Sequence, residues 1–201
     1  MPRYRLVPRD AIKVQLPDTR QETPYSCGAS CLQAVCGYFG VGKAEEYEYI
    51  SLMRIRSSVG AHPHNLLRGV KKFGLHYQEH WPMSYDLLKS YLDRSIPVMM
   101  MIQAWIDPAK RRRHWRGWRS EWKEGHWVAA IGYDTAGVFF EDPSLAAIRG
   151  FLSYHDLDER WHDVGPYWHP PYEKQMYRYG MAIWRPGTRR PPYYSRAAHI
   201  D

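Results

Sequence analysis

Apolar positions recur along this chain with two different spacings. After Cys27 they fall at Leu32, Val35, Cys36 and Phe39, ahead of Gly40, which is the spacing of one face of a helix. Helical patterning continues to about Leu92, punctuated at Gly40–Gly42, Gly60–Pro63 and Trp81-Pro82. From Ile96 onward short apolar runs take over: Val98–Gln103, Trp127–Tyr133, Val138–Glu141, Ala147–Leu152 and Gly180–Trp184. Runs of this length between turn residues read as strands, and Asp134-Thr-Ala-Gly137 reads as a turn joining two of them. Ser153-Tyr-His-Asp156 matches a capping-box variant and predicts a short helix over Leu157–Trp161. Arg160-Trp-His-Asp163 is expected to dock that C-terminal helix. The residues before 20, with Ile12-Lys-Val-Gln-Leu-Pro17, read as a lead-in that adds a strand to a sheet edge. Helices first and strands later predict an α+β fold with segregated halves.

Composition narrows the class. The 201 residues, 44% hydrophobic and 15% aromatic, are enough for one domain with a substantial core. The expected organisation is a single domain over 1–185, with a helical half at 14–95, a sheet half at 96–185 and a tail over 186–201. No run approaches the ~20 apolar residues of a membrane span, and the N-terminal residues lack a continuous apolar signal region. Three cysteines bunched at 27, 31 and 36 do not form a disulfide framework, so a cytoplasmic protein is the expectation.

The candidate chemistry centres on Cys27. A thiolate is the reactive form of cysteine, and the start of a helix, with its unpaired N–H groups and partial positive charge, favours it. Pro24 ends the preceding extended segment, and Gly28 allows a substrate backbone to come close. His126 enters an apolar strand and can hold the thiolate's partner proton. Asp142 closes the next strand, where an antiparallel neighbour brings it beside His126 to orient the imidazole. Gln21 offers a side-chain amide that, with the Cys27 N–H, could stabilise an oxyanion.

Gln21-x5-Cys27-Gly28 at a helix start, then His126 on a strand, then Asp142-Pro143, resembles the papain-like cysteine peptidases. Within them the chain is similar to the bacteriocin-processing, double-glycine leader peptidases of bacteria and their stand-alone relatives, from about Val14 to Trp184. Pro63–Leu75, Ser84–Leu88, Ile96-Pro97-Val98, Glu141–Ser144 and Arg160–Asp163 share in the likeness. The resemblance implies a helical half packed on an antiparallel sheet half, with the site in the cleft between them. It implies Cys27 as nucleophile, His126 as base, Asp142 as orienting acid and Gln21 as oxyanion donor. Gly28, Gly125, Trp127 and Trp122 are the expected substrate contacts. No cofactor or metal is called for. Transporter spans and a nucleotide-binding motif, which accompany the exporter-linked members, do not follow in this sequence.

Other features keep more than one reading. Cys31 and Cys36 suit a packed helix face; a zinc site at Cys27/Cys31 would lack the remaining ligands. His62, His64, His76 and His80 have no metal spacing and read as structural or solvated. Asp107, before Pro108, is a second but worse placed orienting acid. Within the 107–125 insertion, Lys110–Lys123 carries Lys110, Arg111, Arg112, Arg113, Arg116, Arg119 and Lys123 against Glu121, while the rest of the chain is near neutral. Trp115, Trp118 and Trp122 have helical spacing within it. It reads as a surface element with packed tryptophans and snorkelling arginines, as a recognition lid for acidic ligands, or as a nucleic-acid or membrane contact. No RNA- or DNA-binding signature accompanies it, so nucleic acid is not expected.

The function expected is hydrolysis of peptide bonds through a thioester acyl-enzyme, on a peptide or protein substrate that is acidic if the lid reading holds. An amidase or acyltransferase sharing that intermediate is one alternative. A non-catalytic peptide-binding adaptor is the other.

Overall fold

The computed structural model describes residues 6–8, 10–106, 116–166 and 173–187. The N-terminal part holds α1 (Cys27–Tyr38), α2 (Glu46–Met53), α3 (Pro63–Lys72), β1 (His76–His80) and α4 (Tyr85–Leu92). The rest holds β2 (Val98–Gln103), a single 3-10 turn (Trp118–Ser120), β3 (Gly125–Tyr133), β4 (Gly137–Glu141) and β5 (Gly150–Ser153). Then follow α5 (Tyr154–Arg160), β6 (His162–Pro166), β7 (Glu173–Tyr177) and β8 (Gly180–Trp184). The architecture is α+β: a six-stranded sheet in the order β1-β8-β2-β3-β4-β5, all neighbours antiparallel, with the helices packed against it. β6 and β7 form a separate two-stranded sheet. No helix among the described residues is long and apolar enough to cross a membrane.

The elements follow from local chemistry. α1 is buried along nearly its whole length, with Leu32, Val35 and Cys36 fully enclosed between the other helices and β3. Pro63 suits the first turn of α3, where the missing N–H costs nothing, and Asn65 Oδ1 accepts from His62 N at 2.9 Å. Ser84 and Ser153 cap α4 and α5 through the N–H of Leu87 and Asp156. Asp134 Oδ1 accepts from Ala136 and Gly137, which closes the β3–β4 turn. β2, Val-Met-Met-Met-Ile-Gln, is buried at every position because both of its faces are covered.

Several sequence expectations are revised. The sheet does not begin at β2: β1, inside the 14–95 segment, joins it as an edge strand on β8. The lead-in lies not at a sheet edge but on interior strand β3, beyond the end of β2. There Ile131 O accepts from Lys13 and Val14, and Tyr133 N donates to Ala11 O. A side chain at Gly132 would strike the Ala11 carbonyl, so only glycine admits this approach. His162 and Asp163 open β6 rather than docking a helix. The strand expected over Ala147–Leu152 begins only at Gly150.

The insertion is revised as well. Over 116–123 it does not form a helix: Gly117 takes φ 102°, one 3-10 turn follows, and Glu121 is extended. Trp118 is buried under the Arg160 guanidinium, 3.9 Å from its ring, while Arg116, Arg119 and Lys123 are exposed. Asp107, Lys110, Arg111, Arg112, Arg113 and Trp115 lie outside the described residues, as does the tail beyond Gly187.

Candidate active site

Cys27 is the first residue of α1. Ser26 precedes it but does not cap the helix, because its hydroxyl is engaged with both the N–H and the carbonyl of Thr23 at 3.1 Å. The N–H groups of Ala29 and Ser30 donate to the Ser26 carbonyl, and no side chain caps those of Cys27 and Gly28. β3 brings His126 to the same place, and the β3–β4 pairing returns Asp142 alongside it. His126 Nε2 lies 2.7 Å from Asp142 Oδ1, and Cys27 is near enough to the imidazole to favour its protonated form. All three side chains are almost fully enclosed, at 7%, 6% and 6% exposure for Cys27, His126 and Asp142.

Burial alone would push His126 toward its neutral form. The hydrogen bonds and charges of Asp142 and Cys27 outweigh that and raise its pKa to about 10. Cys31, one turn further along α1, behaves oppositely. It is fully buried, its thiol points at the Trp127 carbonyl at 3.3 Å, and burial, with the charges of Cys27 and Asp142 adding, raises its pKa far above normal. Cys36 is pushed up to about 12 by burial, against a hydrogen bond from Tyr49.

A second layer holds these groups. Asp142 Oδ1 also accepts from Ser144 N at 2.9 Å, and Ser144 Oγ donates to Gln21 Oε1 at 3.1 Å. Gln21 N donates to Pro143 O, and Gln21 Nε2 to Thr23 O at 2.9 Å. Gln21 is thereby fastened between the turn after Asp142 and the loop before Cys27. Buried Glu46 accepts from Ser30 Oγ on α1 and from Glu22 N, fixing that same loop to the helix. Ser144, part of the Glu141–Ser144 likeness but given no role there, and Glu46, not singled out in sequence, hold these groups in place. The Asp-Pro-Ser turn was a usable signal for Ser144, since aspartate readily bonds the N–H two residues on. Glu46 left no trace.

The expected substrate contacts separate. Trp127 is a core residue, 3% exposed, its indole N–H donating to Ala61 O at 2.7 Å and its ring edge-on to Tyr179. A Cβ on Gly28 would lie 2.6 Å from Ala61 Cβ, so the glycine makes room for the protein's own packing. Gly125 is exposed beside His126, and the Asp163 carboxylate occupies the space a side chain there would need. Trp122 is half-buried against His162 and Tyr177, at 4.4 and 5.3 Å between ring centres. Of the scattered histidines, His62 and His64 stack on each other, His80 bonds the Tyr91 hydroxyl, and His76 meets Trp184 edge-on.

The fold resembles that of solved peptidase structures. A C39-like peptidase from Bacillus anthracis matches with a TM-score of 0.61 at 14% identity, over 89% of this chain and 98% of its own. A double-glycine-motif protease from an AMS/PCAT transporter, solved in complex with the leader peptide, matches at 0.54 and 13%, over 89% and 96%. The peptidase domain of Streptococcus ComA, a bifunctional ABC transporter in a quorum-sensing pathway, matches at 0.53 and 13%, over 83% and 96%. No family model and no curated protein matches the sequence. The chain thus has the papain-like fold of C39 peptidase domains, as its motifs resembled.

Proposed function

We propose that this protein is a cysteine peptidase in which Cys27 attacks the scissile carbonyl, His126 carries the proton and Asp142 orients the imidazole. The observation that carries this reading is the enclosed His126–Asp142 bond of 2.7 Å, with Cys27 acting on the same imidazole from a helix start that no side chain caps. Because Nε2 is taken by Asp142, Nδ1 is left for the sulfur. Proton transfer from sulfur to Nδ1 gives a thiolate beside an imidazolium, both favoured by the helix terminus and the carboxylate.

The thiolate adds to the carbonyl carbon, and the oxygen takes the negative charge. We assign the oxyanion site to the Cys27 N–H and the second hydrogen of Gln21 Nε2, whose first is spent on Thr23 O. His126 then protonates the departing amine, leaving a thioester that water, deprotonated by the same imidazole, hydrolyses to the acid and free thiol. A peptide substrate also accords with the neighbour that was solved with a leader peptide.

Alkylation tests the nucleophile directly. Brief treatment with iodoacetamide at neutral pH, followed by peptide mapping, is expected to label Cys27 while Cys31 and Cys36 stay protected by burial. Cys27→Ala should abolish hydrolysis of a peptide library with the melting temperature nearly unchanged. Equal labelling of Cys31, or undiminished hydrolysis by Cys27→Ala, would exclude this assignment.

A further inference from the structure

Between Glu48 and Glu79 the chain contains no acidic residue, while Arg54, Arg56, Arg68, Lys71 and Lys72 lie within that stretch, together with His62 and His64. It includes the end of α2, the loop to α3 and α3 itself. That loop is packed on the nucleophile's own helix. Ala61 fills the space over Gly28, its carbonyl takes the Trp127 indole, and Gly60 abuts the carbonyl of Tyr25, two residues before Cys27. Arg56 O accepts from Val59 and Gly60, so a tight turn bearing the exposed Arg56 and Val59, the latter 59% exposed, closes at the glycine that abuts Tyr25.

Arg54, Arg56 and Arg68 are exposed, and among the described residues none of them is in an ion pair. Arg68 also faces His64, whose pKa is held down by burial first and by this guanidinium second. The segment leading into β3 is different: there Arg116, Arg119 and Lys123 are interspersed with Glu121 and Glu124, and the Asp163 carboxylate abuts Gly125. Among the described residues, the unbalanced positive charge thus lies on the α2–α3 segment.

We infer that the α2–α3 segment, through Arg56 and Arg68, binds acidic side chains flanking the scissile bond, so that the substrates are acidic peptides. This rests on the peptidase reading for the meaning of "substrate", but its binding test does not. Arginine suits the role because its planar guanidinium meets a carboxylate with two parallel hydrogen bonds. An excess of one charge sign beside a cleft also raises the local concentration of oppositely charged ligand.

The test uses two fluorescent pools of short peptides, each with a randomised centre flanked by fixed Glu in one pool and fixed Gln in the other. Anisotropy titrations on full-length Cys27→Ala, which needs no turnover, are expected to show the Glu pool binding about 3- to 10-fold tighter at low salt. The preference should vanish near 1 M salt, where the screening length falls to about 3 Å. It should be lost in Arg56→Gln/Arg68→Gln and kept in Arg119→Gln. Equal affinity for the two pools, no measurable binding of either, or equal loss in Arg119→Gln would overturn the inference. Hydrolysis of the same pools by the unsubstituted protein reports separately on the peptidase reading. A binding preference without hydrolysis would leave the cationic surface standing and remove the proposed reaction.

Discussion

His126 is where the site's electrostatics become measurable. Its folded-state pKa of about 10 lies above the ordinary value of 6.5, because Asp142 and Cys27 favour the imidazolium more than burial opposes it. A group that binds its proton more tightly when folded stabilises the protein fully below its unfolded pKa and loses that contribution as pH rises through the folded one. The melting temperature of the protein relative to His126→Gln should therefore be highest near pH 6 and decline toward pH 10. A gap independent of pH across that window would contradict the assigned charge state. Of the candidate site, the places of Cys27, His126 and Asp142 at a helix start, a strand start and a strand end were legible in sequence. Trp127 misled because its place after His126 says nothing of which way its ring turns. Packing against Ala61 and Tyr179 decides that.

Among elements, α1 carries the site and depends on the closeness of its neighbours. Gly28→Ala would place a methyl 2.6 Å from Ala61 Cβ and 3.2 Å from the Trp127 ring. Over-packing of this kind costs about 1–3 kcal/mol, and here it also displaces the turn that holds the sulfur. Gly28→Ala is expected to lower both the denaturation midpoint and the rate of Cys27 alkylation, and adding Ala61→Gly should restore much of each. α1 could be read from its apolar spacing because it is buried. β1, His-Tyr-Gln-Glu-His, could not, because an edge strand with mostly exposed positions has no apolar alternation to read. The tryptophan spacing in the insertion predicted a helix that Gly117, at φ 102°, interrupts, and the burial of Trp118 under Arg160 takes the place of a helical face.

Across the whole molecule, one buried carboxylate ties the lead-in to the sheet. Glu141, 1% exposed, is paired with Arg149 and accepts from Thr19 N at 2.8 Å, while Arg149 also donates to Leu16 O. Arg149→Met leaves that charge enclosed with only the Thr19 donors, a loss of about 3 kcal/mol for a broken buried pair. Since Glu141 is adjacent to Asp142, urea denaturation should show the lost stability and peptide hydrolysis should fall with it. Unaltered stability would mean that water or Thr19 compensates the carboxylate. What the sequence determined by itself was local: which stretches wind, which extend, and which residue types stand at their ends, because apolar periodicity and capping chemistry act over a few neighbours. Only the tertiary structure decided that β1 belongs to the sheet, that the lead-in crosses an interior strand, and that Gln21 is fastened to the turn beyond Asp142. Each of these pairs residues distant along the chain through backbone hydrogen bonds and close packing, and those interactions leave no periodic mark on either partner.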